Sequence, residues 1–151
     1  MLGNENSTRI ESKEDVKSFL SRLAYVMAKK TKTITFQKIR DSDKGRNPRF
    51  TNRFTIACLF PDESPVEAIA RELQSLNFKE YRHTIKDNLY PDRSEWRVFS
   101  RKYAHEPEHV YIKLRVDIIS SSCRVQHDQI YVMSFHFSDR VLSKQDFPYL
   151  E

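Results

Sequence analysis

The residues of this chain whose types and spacing suggest chemistry lie in its second half. "AHEPEH", residues 104 to 109, fits H-E-x-x-H, the pattern in which a helix places two histidines on one face to hold zinc, with the Glu as a base. Here Pro107 falls between His105 and His109, and "VYIKLRV" follows at once with the alternation of a strand. A helix would have to begin and end within a single turn and would lack apolar flanks, so these residues read as a polar loop feeding a strand. Cys58 and Cys123 stand far apart and outside any C-x-x-C spacing, which implies neither a disulfide framework nor a zinc ribbon. The chain has only two glycines, too few for a loop that cradles a phosphate or a dinucleotide. No metal and no cofactor is expected.

The elements that must position any site can be read from periodicity and caps. Ser12, followed by Asp15, opens a helix on which Val16, Phe19, Leu20, Leu23 and Met27 share one face. "TITFQKI" reads as a short strand and "RDSDKGRNPR" as a charged loop. Residues 50 to 60 mix the signals of a strand and a short helix. "SPVEAIARELQSL" has Ser64 at the N-cap, Pro65 at the first helical position and Glu67 closing a capping box, with Val66, Ile69, Leu73 and Leu76 as its buried stripe. After a charged and aromatic connection over residues 77 to 95, "WRVFSRKY", "HVYIKLRVDI" and "QIYVMSFHF" read as strands of an antiparallel meander, the last two joined by the loop "ISSSCRVQHD". In "HVYIKLRV", Val110, Ile112, Leu114 and Val116 share one face, and Tyr111, Lys113 and Arg115 form a basic, aromatic one. In "IYVMSFHF", Tyr131, Met133, Phe135 and Phe137 alternate with Ile130, Val132, Ser134 and His136.

The expected fold class is α+β, with two or three N-terminal helices packed on an antiparallel sheet. A length of 151 residues with 38% hydrophobic content suits one domain, residues 1–50 adding a helix, strand and loop to a core over 64–149. Lys and Arg number 26 against 21 acidic residues, and the net charge of +5 suits a polyanionic partner without identifying one. No apolar run reaches the roughly 20 residues needed to cross a bilayer, and the polar start lacks a signal-peptide core, so a cytoplasmic protein with no membrane partner is expected.

"EYRHTIKDN", "EWRVF", "EHVYIKLRV", "IYVMSFHFS" and "DFPY" follow one another in that order within residues 64 to 149. Together they resemble the C-terminal signature of the MqsR-like toxins of bacterial toxin–antitoxin pairs, the match being most specific at "VYIKL" with a downstream "SFH". The resemblance implies a RelE-like fold with a curved sheet and an mRNA endonuclease that works without a metal. It also implies a cognate antitoxin protein that silences the enzyme, and the ribosome as a further candidate partner. By the same resemblance His136 takes the place of a catalytic Lys or His, while Tyr81 and Arg82 match a segment that supplies an aromatic RNA contact and a further basic group. Thr84 and Ile85 stand where a Gly-Pro is expected, and Phe99 where some relatives carry Tyr.

Cutting RNA without a metal requires deprotonating a 2′-hydroxyl, stabilising charge on the phosphorane and protonating the leaving 5′-oxygen. Lys113, fixed mid-strand, can stabilise the phosphate, with Arg115 two residues along on the same face. His136, with an ordinary pKa of about 6.5, suits either proton transfer. The candidate catalytic residues are therefore Lys113, His136 and Arg82. The candidate RNA contacts are Tyr81, Tyr111, Arg115 and His83; His105, His109 and His127 are read as incidental. The competing reading is a non-catalytic RNA-binding or protein-interaction module, in which the same basic face holds phosphates without breaking them.

Overall fold

A computed structural model describes residues 7–118 and 128–151. The loop expected between the last two strands, with Cys123 and His127, lies outside the described residues. In chain order the elements are β1 (Ser7–Arg9), α1 (Lys13–Met27), β2 (Thr33–Phe36), α2 (Asn52–Leu59), α3 (Pro65–Gln74), β3 (Tyr81–Lys86), β4 (Trp96–Lys102), β5 (His109–Asp117) and β6 (Gln129–Phe137). The strands form one six-stranded sheet in the order β1-β3-β4-β5-β6-β2. All pairs are antiparallel except β2 with β6, which is parallel. The class is α+β, with the expected meander β4 to β6 at its centre and the unexpected strand β3 beside β4.

Local sequence accounts for most of these elements. Ser12 caps α1 by accepting from the backbone N–H of Asp15 at 3.1 Å, and the helix buries Val16, Phe19, Leu23, Val26 and Met27. Pro65 opens α3, whose inner face is Ala68, Ile69 and Leu73. Two details differ from expectation. Ser64 makes no side-chain cap bond, and Val66 is exposed because the helix rests on the sheet through the next turn of its stripe. Residues 52–59 form α2, capped by Thr51, which accepts from the N–H of Phe54 at 3.2 Å. The connection after α3 contains β3, whose inward residues include Thr84 rather than an unbroken apolar set, which hides it from a pattern search.

The helices lie on one face of the sheet. Phe99 of β4, Val110, Ile112, Leu114 and Val116 of β5, and Ile130, Val132, Phe135 and Phe137 of β6 meet Phe19, Leu23, Ile69 and Leu73 there, all of them buried. Burying each of these side chains contributes roughly 1.5–3 kcal/mol. The same face encloses a polar knot. Glu11, just before α1, accepts from Arg97 Nε at 2.8 Å and Nη2 at 2.9 Å and from the Thr84 hydroxyl, while its own N–H donates to the Tyr81 hydroxyl at 3.0 Å. The Tyr149 hydroxyl donates to the Glu11 carbonyl at 2.5 Å, which ties the C-terminal segment to the same point.

Tyr81 and Thr84 bond to each other inside the knot, at 2.6 Å. In a regular strand residues three apart face opposite ways. They share a face because β3 shifts register against β4 between Tyr81 and His83, so that Arg82 and His83 lie between two inward residues.

Candidate active site

The other face of the sheet carries Tyr111, Lys113 and Arg115 of β5, each half-buried, opposite the apolar residues that alternate with them. Pairing with β6 sets Tyr111 against His136 and Lys113 against Ser134. Regular alternation would send His136 to the helix side with Ile130 and Val132. A register shift facing Lys113 and Leu114 prevents this: Leu114 pairs with Val132 and Lys113 with Ser134, so Met133 is the extra residue. Beyond it the parity reverses, and Phe135 and Phe137 are buried in the core while His136 turns outward. The expected grouping of Tyr131 and Met133 with Phe135 and Phe137 is thus corrected by a one-residue bulge.

The bulge is held by side chains from the first half of the chain. The Met133 carbonyl accepts from Arg40 Nη1 at 2.9 Å and from Asn52 Nδ2 at 3.1 Å, and Asn52 Oδ1 accepts the N–H of Phe135 at 2.9 Å. Asn52 is fully buried at the start of α2, and Thr55, one turn on, accepts the N–H of Phe137 at 2.9 Å. The stretch whose signals were mixed is therefore the support beneath the catalytic candidate.

Residues 37–50 run from β2 to α2 through two short turns of 3₁₀ helix, Asp41–Asp43 and Pro48–Phe50. Gly45 between them has φ +77°, a conformation costly for any residue with a Cβ. This segment walls a cleft of about 400 Å³ with Arg40, Arg46 and Phe50, whose sheet side includes Tyr111, Lys113 and His136. Ser134, Ser138 and Asp139 complete the lining together with Met133. Sequence reading missed Arg40 and Arg46; the only signal was the dense charge of "RDSDKGRNPR", which carries no periodicity to say where it points.

His136 Nδ1 lies 2.9 Å from the Phe137 carbonyl, which can only accept, so Nδ1 carries the proton and Nε2 the basic lone pair. Burial lowers the His136 pKa from 6.5; Arg40 and Arg46 push the same way against the Phe137 carbonyl and Asp139. Its ring stacks on Tyr111, centroids 5.4 Å apart. Burial likewise lowers the pKa of Lys113 from 10.5, and Arg40 adds to this against Asp87. Lys113 Nζ sits 5.4 Å from the centre of the Trp96 ring, and among the described residues no carboxylate is within ion-pair distance of it. The Tyr111 hydroxyl is raised above 10 by burial and stays a neutral donor at neutral pH.

The remaining candidates are spread more widely. Arg82 and His83 are on the outer side of β3, outside the lining of the cleft; Arg82 is 8% exposed with its Nε unpartnered. His83 is pushed down to about 4, first by burial and then by Arg82, Lys113 and Arg140, and so is neutral at pH 7. Arg115 lies over the Trp96 and Tyr131 rings at 4.6 and 5.4 Å, with Nε 3.4 Å from Asp117. It packs the outer face beyond the cleft. Tyr81 is enclosed in the polar knot, stacked on Tyr149 at 6.2 Å and 0% exposed, so the expected contact between Tyr81 and RNA is not possible in this structure.

His105 is exposed with φ +79°, and Glu106 and Glu108 bind the Arg49 guanidinium at 3.1 and 2.5 Å. Residues 105–108 form no helix, as the loop reading expects. Among the described residues no group of three or more His, Cys, Asp or Glu side chains is placed to hold a metal ion, and no helix is long and apolar enough to cross a membrane. Comparison with protein-family models, with curated proteins and with solved structures finds no match to this chain.

Proposed function

We propose that the cleft cuts RNA, and that the chain is an mRNA endoribonuclease toxin of a RelE-like kind, working in the cytoplasm and held in check by a cognate antitoxin protein. The observation that carries this reading is that Lys113 and His136 line one cleft on one face of the sheet, within a wall of guanidinium groups. Helices α1 to α3 pack on the opposite face, and none of their residues lines this cleft. A cutter of mRNA, on or off the ribosome, would poison its own host, and that is the reason a silencing partner is needed.

In this reading His136 Nε2 takes the proton of a 2′-hydroxyl. The 2′-oxygen then attacks the adjacent phosphorus and the bond from phosphorus to the 5′-oxygen breaks, giving a 2′,3′-cyclic phosphate. The Lys113 ammonium offsets charge on the phosphorane and donates a proton to the leaving 5′-oxygen, and the two side chains regain their starting states by exchange with water. The tautomer fixed by the Phe137 carbonyl and the lowered pKa of Lys113 both suit these directions.

The test is labelled RNA incubated with the purified chain in EDTA. Fragments ending in cyclic phosphate are expected, with Lys113→Ala and His136→Ala leaving the RNA whole while circular dichroism is unchanged. RNA left intact by the unmodified chain would overturn the proposal in favour of a binding module, and cutting abolished by EDTA would point to a metal nuclease.

A further inference from the structure

Arg40 is brought to the cleft from 93 residues away in sequence, and its contacts fix where its charge lies. Nη1 donates to the Met133 carbonyl at 2.9 Å and to Ser134 Oγ at 3.3 Å, and Ser134 is the cross-strand partner of Lys113. Among the described residues Nε has no hydrogen-bond partner, and it forms a long ion pair with Asp43 Oδ1 at 3.8 Å. The guanidinium and the ammonium therefore belong to one half-buried cleft with no carboxylate bridging them among the described residues; burial and then Arg40 lower the pKa of Lys113, while Asp43 partly offsets the charge of Arg40 itself. Holding two like charges in a partly desolvated site is unfavourable unless an anion joins them. The acidic lining residue, Asp139, acts on His136 rather than on this pair.

We propose that Arg40 and Lys113 clamp one phosphodiester group of single-stranded RNA, Arg40 being a substrate-binding residue that the charged segment 37–50 supplies; this rests on the reading of the cleft as an RNA site. The guanidinium suits the task because its planar donors match phosphate oxygens while Nη1 stays anchored to the bulge. A cleft of about 400 Å³ has the size of a small-ligand pocket, so one strand threads it and a duplex does not. Arg46, exposed on the same segment, is placed for a neighbouring phosphate.

The experiment uses a fluorescent single-stranded 2′-O-methyl RNA, which cannot be cut, and reads its anisotropy with the full chain at several salt concentrations. Arg40→Gln keeps a donor for the Met133 carbonyl and removes the charge; Arg40→Lys keeps the charge. For Arg40→Gln the Kd is expected to rise about 10- to 100-fold, as for loss of one charged hydrogen bond, and the salt slope to shrink by about 0.7, one phosphate contact on a single strand. Arg40→Lys should restore the slope and only part of the affinity, with equal melting temperatures for all three proteins. Tight binding with an unchanged Kd and slope for Arg40→Gln overturns the clamp and leaves the cleft as an RNA site. Equal affinity for a duplex overturns the single-strand assignment. If the unmodified chain does not bind the RNA, the RNA reading fails and the clamp with it.

Discussion

His136 lies against Tyr111 with ring centroids 5.4 Å apart and planes 22° from parallel, and the one-residue bulge at Met133 puts it there. Remove the extra residue and the imidazole would point into the helix-covered core. The placement of the proposed base thus depends less on His136 itself than on what stabilises an irregular backbone two and three residues earlier.

Asn52 is the residue on which that stabilisation turns. It accepts from the Phe135 N–H and donates to the carbonyls of Met133 and Gln37 while fully buried. Asn52→Ala is expected to cost about 2–4 kcal/mol by stranding these groups, read as a lower urea midpoint, and to reduce RNA cutting by more than the unfolded fraction explains. An unchanged midpoint would show that the bulge does not need it.

The rate of cutting should trace a bell against pH. His136 must be neutral to accept a proton, and burial with Arg40, Arg46 and their opponents Asp139 and the Phe137 carbonyl leaves its pKa below 6.5, so the acid limb should lie below that value. Lys113 must be protonated to donate, and its lowered pKa puts the alkaline limb below 10.5. Steady-state kcat/KM between pH 4 and 10 checks both limbs, and Lys113→Arg should move the alkaline one upward.

His83 should make the fold sensitive to acid. Its pKa falls from 6.5 in the unfolded chain to about 4 in the folded one, so the unfolded chain binds more protons between these values. Stability is therefore full above pH 6.5 and declines as the pH drops toward 4, by about 3 kcal/mol at most. Urea titrations at pH 7 and pH 4.5 should show the loss, and His83→Gln should flatten it.

The Glu11 knot gives a further prediction. Glu11→Ala leaves the buried Arg97 guanidinium without a counter-charge and strands Thr84, at a cost of about 3–5 kcal/mol in urea unfolding. Replacing the pair together, Glu11→Leu with Arg97→Met, should recover much of it. A single variant as stable as the parent would refute a structural role for the pair.

Elements whose signals are local were legible in the sequence. Ser12 and Pro65 mark real helix starts, and the alternation of Val110, Ile112, Leu114 and Val116 gives the correct inward face of β5. What escaped depends on partners distant in the chain. Bulges in β3 and β6 add one residue to a strand without altering its composition, so the faces of Arg82, Phe135 and His136 could not be counted off by alternation alone. Val66 fits the apolar period of α3 yet is exposed, because tertiary packing chose the Ala68, Ile69 and Leu73 side. Tyr81 is expected at the RNA only through the family resemblance, and only the fold reveals that Glu11, Thr84 and Tyr149 close around it. Arg40 sat in a stretch that reads as a loop, and a loop offers no period from which to infer that it arches over the sheet.

The parallel pairing of β2 with β6 sets Thr33–Phe36, made early, against Gln129–Val132, made late. A polypeptide still being translated owns Arg40 well before it owns His136, and β2 gains its sheet neighbour only after β6 has been synthesised. On the proposed reading the emerging protein lacks its base until β6 has left the ribosome, and the cleft is armed only when that strand has slotted in between β5 and β2.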